Sequence, residues 1–247
     1  MQILLTVSYD GTNYAGWQRQ ENAAAVQQRV EEALGLLLGG KITVRAASRT
    51  DAGVHALGQR ASFFVPLLKI PVEKLPQVLN SFLPSDISVT AALVVPDEFN
   101  PRFDARFKTY SYKIYNAPCP NPLVGRYSAF IPQCLDIEAM QQAAQKFVGR
   151  FDFAAFCATG GSAKTTVREI FACDIQAEKN PGGMVVFTIT GGGFLYNMVR
   201  IIAGTVLYAG LGKLSPEDIP GIIASKDRKN AGKTMPPHGL TLETVGY

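Results

Sequence analysis

The hydrophobic period of this chain switches between two residues and about 3.6, and it does so twice in a similar order. QILLTVSY (2–9) has the composition of a strand, and AAAVQQRVEEALGLLL (23–38) sets Val26, Val30, Ala33, Leu34 and Leu37 on one helical face. RASFFV (60–65) returns to alternation; Pro71 then opens a helix carrying Leu75, Leu79 and Phe82, and Pro84 closes it. ISVTAALVV (87–95) places Ile87, Val89, Ala91, Leu93 and Val95 on one side of a strand.

KTYSYKIYN (108–116) starts the second round with β-forming residues. Asp136 caps a helix whose face holds Ile137, Met140, Ala144 and Phe147. REIFACDIQA (168–177) and MVVFTIT (184–190) pair as strands across a turn at Asn180–Gly183. A helix near 194–208 buries Leu195, Met198, Val199, Ile202 and Val206. In SPED, Ser215, Pro216 and Asp218 form a capping box for another helix, and LTLETVGY is a final strand.

Each half thus approximates strand–helix–strand–strand–helix–strand, the ferredoxin-like plan. The expected fold is α+β, with two tandem ferredoxin-like halves, 1–105 and 106–247, joined into one extended, mainly antiparallel sheet. Helices would cover one face and leave a cleft on the other for a ligand. The repeat is architectural, without visible identity between the halves.

At 247 residues, 47% hydrophobic and 18% charged, the chain is that of an ordinary globular protein, and a net charge of +4 permits an anionic partner without requiring one. The first residues form no basic leader, and their apolar run is too short for a secretory signal. The most apolar later stretch contains Asn197 and Arg200, which marks a buried amphipathic helix rather than a membrane span. Cys119, Cys134, Cys157 and Cys173 form no C-x-x-C pair, so reduced thiols and a cytoplasmic location are expected.

Several chemistries fail on spacing. In GGSAKTT, Ala163 precedes Lys164 and Ala158 stands where a phosphate loop needs its first glycine; AGKT (231–234) fails because Asp227 occupies that position. GGGF (191–194) lacks the dinucleotide spacing. With two histidines, His55 and His238, and scattered cysteines, a zinc site would need unusual ligands.

SRTDAGVHA (48–56) is more informative. Arg49, Asp51 and His55 share one short loop between apolar stretches. Asp51 before Gly53 could simply form a turn. A base–orienter or metal pair with His55 is disfavoured by the intervening glycine, and no serine or cysteine partner is indicated.

Two further stretches mix cations with rings: SYDGTNYAGWQRQ (8–20) sets Tyr9, Tyr14 and Trp17 beside Arg19, and NPRFDARFKTYSYK (100–113) sets Arg102, Arg106, Lys108 and Lys113 among four rings. Such a composition suits structured RNA with unpaired bases, and equally suits basic stems snorkelling over an aromatic core.

YDGTNYAGWQRQ, SRTDAGVHALGQ, PRFDARFKTYSY, GRFDFAAF, GGGFLYNMVRIIAGT, KDRKNAGKTMPPHGLTL and the closing VGY occur in an order that resembles the tRNA pseudouridine synthase A family along nearly the whole chain. The resemblance implies isomerisation of uridine to pseudouridine at positions 38, 39 and 40 of the tRNA anticodon stem-loop, without metal or cofactor, by a homodimer. Asp51 matches the family's catalytic aspartate. With a reference pKa of about 3.9, an accessible aspartate is ionised at neutral pH and can act as a nucleophile. Attack at uracil carbon 6, attack at the anomeric carbon and a glycal route stay open.

Tyr110 matches the active-site tyrosine, whose ring would stack on uracil and whose hydroxyl could take the carbon 5 proton. Arg200 matches the arginine that pairs with the aspartate. Arg49 matches the residue that fills the space left by the flipped base. Leu240 matches an apolar residue beside the target base, and His55 would order the loop or contact RNA. Ser48, Asn100-Pro101 and Phe151 depart from the family pattern and bear on tRNA docking. The rivals are a catalytically silent RNA-binding protein, a synthase for other RNA positions, and a hydrolase.

Overall fold

Strand β1 (Gln2–Tyr9) buries Ile3, Leu4, Leu5 and Val7, on both of its faces, as a central strand must. The computed structural model describes residues 1–161, 163–178 and 183–247. They form two units, Met1–Arg106 with Thr241–Tyr247, and Phe107–Leu240.

In the first unit the chain runs β1, α1 (Val26–Leu38), β2 (Arg45–Ala46), β3 (His55–Phe64), α2 (Leu75–Asn80) and β4 (Ile87–Val95). β1 pairs antiparallel with both β4 and β3, and β2 pairs antiparallel with β3. The resulting order, β4–β1–β3–β2, is the one the ferredoxin-like plan requires. Strand β10 (Leu240–Gly246) joins this unit by running parallel to β3, with Thr241 opposite His55 and Leu242 opposite Ala56. A Cβ at Gly58 would run into the Glu243 carbonyl, so glycine permits this approach.

The second unit carries β5 (Phe107–Asn116), β6 (Ala129–Ile131), α3 (Ile137–Gln145), β7 (Gly149–Asp152), β8 (Val167–Ala177), β9 (Met184–Gly191), α4 (Met198–Gly210) and α5 (Ile219–Ser225). Its strands lie in the order β5–β9–β8–β7, with β6 on β5. Tyr112, Ile114, Phe187, Ile189, Ile170 and Cys173 supply its sheet core, and α3 packs on β8 and α4. Asp136 caps α3 by accepting from Ala139 N at 2.9 Å, and the capping box at Ser215 and Asp218 heads a 3-10 turn that leads into α5.

The α+β class and the mainly antiparallel sheet agree with the hydrophobic periods. Three boundaries in the first unit differ, each for a physical reason. Helix α1 starts at Val26 because Ala25 is extended and the preceding chain is bound to 15–17: Ala15 N donates to Ala24 O and Val26 N to Gly16 O. Helix α2 stops at Asn80, whose side chain bonds both N and O of Val89, leaving Phe82 outside the helix and exposed. Strand β3 begins five residues earlier than its alternation indicates, because the buried polar residues His55 and Gln59 break the pattern. The expected turn at Asn180–Gly183 falls mostly on 179–182, outside the described residues.

Candidate active site

The loop that carries Asp51 is braced from behind by the end of β1 and the segment that follows it. Tyr9 Oη and Thr50 Oγ1 are 2.7 Å apart, and Trp17 N donates to Thr50 O at 3.1 Å. Gly53 N donates to Tyr14 O at 3.2 Å, and Val54 N closes a turn onto Asp51 O at 3.1 Å. Gly53 has φ +77°, so the turn after Asp51 needs a residue without a Cβ. Gly16 is equally constrained, since a Cβ there would stand 2.5 Å from Thr50 O. On the other side Gln59, fully buried, donates through Nε2 to Ser48 O at 2.8 Å and accepts through Oε1 from Ser48 N at 3.3 Å. Thr50 is buried between an exposed Arg49 and a half-buried Asp51, and this burial holds the two functional candidates in place.

His55 lies inside, 4% exposed, at the start of β3. Its Nδ1 accepts from Gly11 N at 3.0 Å and faces Asp10 Oδ1 at 3.2 Å.

These contacts resolve the first mixed aromatic and basic stretch. Tyr9, Tyr14 and Trp17 are buried core residues, and Arg19 pairs with the buried Glu31 at 3.2 Å; this segment is a scaffold, not a stacking surface. The second stretch is divided. Tyr110 and Tyr112 are largely shielded from solvent, whereas Phe103 is exposed beneath the Arg102 guanidinium, 5.6 Å from the ring centroid.

In the second unit Tyr110, on β5, is 6% exposed and meets Phe194 edge to face, with centroids 5.3 Å apart. The glycine run before Phe194 serves this contact: Gly191 passes so close to β8 that a Cβ would stand 2.7 Å from Glu169 O. The chain stays irregular through Leu195 to deliver Phe194, and α4 starts only at Met198. Tyr112 donates from its hydroxyl to Pro236 O at 2.8 Å. Burial pushes its phenol well above the ordinary value, against an opposing pull from the Arg200 charge.

Arg200 lies in the first turn of α4. Its Nε donates to Met235 O and its Nη1 to Asn197 Oδ1, both at 2.7 Å, while Met235 N donates back to Arg200 O at 3.2 Å. AGKT, rejected as a phosphate loop, lies against the same helix: a Cβ at Gly204 would run into the Lys233 carbonyl, and Gly232 N donates to Thr205 Oγ1 at 2.9 Å. Leu240 is buried at the first position of β10.

Beside the Gly192–Gly193 turn an open cleft of about 490 Å³ is lined by Arg150, Arg168, Glu169 and Thr165. Arg168 is anchored by Nη1 to Thr165 O at 3.0 Å and Val167 O at 2.6 Å. Burial lowers its pKa from the usual guanidinium value. Arg150 and Glu169 are register partners on β7 and β8.

Sequence reasoning placed Asp51, Arg49 and His55 in one loop and passed over Thr50, Gln59, Phe194, Asn197 and Met235. A glutamine at an inward strand position and an asparagine just before an apolar helix were the available signals.

The chain, an α+β protein with a braced aspartate loop, matches over residues 5–104 and 143–247 the family model described as tRNA pseudouridine synthase. The chain belongs to the tRNA pseudouridine synthase family. A tRNA pseudouridine synthase A from Caldicellulosiruptor bescii is 48% identical over 245 residues, covering 99% of both chains. Another, from Geotalea uraniireducens, is 47% identical over 246 residues, covering 100% of this chain and 99% of its own. A solved archaeal box H/ACA sRNP Nop10-Cbf5 complex has a TM-score of 0.39 at 10% identity. It covers 98% of this chain, which spans about half of that chain (48%), and is too distant to inform the fold. The chain is therefore an isomerase that binds RNA and converts uridine of tRNA to pseudouridine. Among the described residues no helix is long and apolar enough to cross a membrane.

Proposed function

We propose that this enzyme modifies uridines 38, 39 and 40 in the anticodon stem-loop, with Asp51 as nucleophile on a uridine flipped out of the helix. The observation that carries this reading is the bracing of the loop: Tyr9 and Trp17 hold Thr50 while Gly53 turns the chain, so Asp51 sits on an immobilised backbone. A nucleophile held in one geometry lowers the entropic part of the barrier. Exposed Arg49, next but one to it, is suited to occupy the vacated stack.

In the reaction the bond between uracil N1 and ribose C1′ breaks, the base turns, and C5 bonds to C1′. The C5 hydrogen leaves as a proton and N1 gains one. Tyr110 stacks on the uracil and is the candidate to receive the C5 proton; Arg200 supplies the positive charge that favours an ionised aspartate; Leu240 packs near the base. His55, buried, acts by ordering the loop. The cleft with Arg150 and Arg168 contacts phosphates of the RNA. The enzyme works in the cytoplasm as a homodimer.

The test is tritium release from tRNA carrying uridine labelled at carbon 5, with the product nucleotide mapped. Wild type is expected to release tritium at 38–40. Asp51→Ala should release none while binding tRNA within a few fold of wild type. Turnover by Asp51→Ala would sink the nucleophile, and product at other positions would sink the site assignment. Binding without release by either protein would favour a silent RNA-binding protein.

A further inference from the structure

Asn197 has left-handed backbone, φ +58° and ψ 7°, at the N-cap of α4. Residues at this position ordinarily have extended backbone and use the side chain to accept from the helix's first N–H groups. Asp136 does so on α3. Asn197 makes no such capping bond. Its Oδ1 accepts from Arg200 Nη1 at 2.7 Å instead. Lys226, the other non-glycine residue with positive φ among those described, sits at a helix C-cap, where that conformation is common.

We propose that Asn197 is a positioning residue for Arg200, its left-handed backbone aiming the amide oxygen at the guanidinium. Two carbonyl oxygens then grip the arginine at different nitrogens, Asn197 Oδ1 at Nη1 and Met235 O at Nε. A planar guanidinium gripped at two nitrogens cannot rotate about its last bonds, so its charge has a fixed direction. If the conformation alone mattered, glycine would serve better, since it adopts positive φ without steric cost. Asparagine is the residue that tolerates this backbone and still presents an acceptor.

The proposal rests on the role given to Arg200 above, and the experiment separates the two. Asn197→Gly keeps the backbone and removes the acceptor; Asn197→Asp keeps an acceptor. Asn197→Gly is expected to stay folded with a modestly lowered melting temperature, to lose roughly tenfold in kcat, as for one hydrogen bond to a charged group, and to keep KM for tRNA within about twofold. Asn197→Asp should recover most of the lost kcat. Wild-type kcat in Asn197→Gly overturns the inference, and so does an equal loss in Asn197→Asp. Full activity in Arg200→Gln would sink the role of Arg200 itself. An inactive Arg200→Gln beside a fully active Asn197→Gly would sink only the positioning role.

Discussion

Gln59 shows how much of this site depends on residues that do no chemistry. Its buried amide bonds both the N–H and the C=O of Ser48, directly behind Arg49 and Asp51. Gln59→Leu fills the same volume but removes both bonds. A buried polar group deprived of its partner costs on the order of 1–3 kcal/mol. The variant should therefore melt lower and lose kcat more than tRNA affinity, which thermal melting and steady-state kinetics on tRNA would check. Tyr112 gives a pH prediction. Its phenol has a folded pKa above the ordinary 10.0, so the unfolded chain gives up this proton first as pH rises. Its contribution to stability is complete below about pH 10 and is lost as pH climbs past that point. Denaturant melts of wild type and Tyr112→Phe should diverge there, the variant losing less stability with rising pH. At this scale the sequence was legible for the turn that holds Arg49 and Asp51, because Gly53 marks it, while the roles proposed for the two side chains rest on the motif alone. It was ambiguous for Tyr9, Tyr14 and Trp17, because rings that stack on bases and rings that fill a core have the same composition. Asn197 was visible as a polar residue before an apolar helix but not as a partner of Arg200, since a φ value leaves no mark on an isolated asparagine.

Among elements, the strands and helices with a strong period were readable, and the short ones were not. β1, β4, β5, β8 and β9 alternate or run apolar over their full length. β2, β6 and β7 span two to four residues, too few for any period to register. β3 was half hidden, because the buried residues that brace the Asp51 loop interrupt its apolar pattern; the demand for bracing overrode the local one. The hairpin of β7 and β8 carries its own prediction. Arg150 and Arg168 flank a cleft beside the Gly192–Gly193 turn that Glu169 also lines. Replacing either arginine by alanine should weaken tRNA binding with kcat nearly unchanged. It should also reduce the slope of log affinity against log salt by about one for each phosphate that the arginine no longer neutralises. Filter binding between low and physiological salt measures this, and an unchanged slope would remove the cleft from the RNA path.

For the whole molecule, the repeated plan was visible as a rhythm of periods, and the family as seven motifs in order. The partner of the last strand was not. LTLETVGY reads as a strand from its residues alone, but strand pairing over so long a separation has no local signature. The assembly state is likewise unmarked in the sequence. A homodimer predicts a sedimenting mass twice the 26.7 kDa of one chain, unchanged on dilution through the working concentration of the enzyme. A mass of one chain at full activity would exclude it.

The parallel pairing of β10 with β3 also sets an order of events. Thr241 and Leu242 lie against His55 and Ala56, the residues that leave the Asp51 loop. As the chain emerges from a ribosome, the first unit must wait for its closing strand until all of the second has been made. Contacts so distant along the chain are also the slowest to form in refolding. The strand that follows the loop thus gains its parallel neighbour last, and a nascent chain shorter than 241 residues carries Asp51 without it.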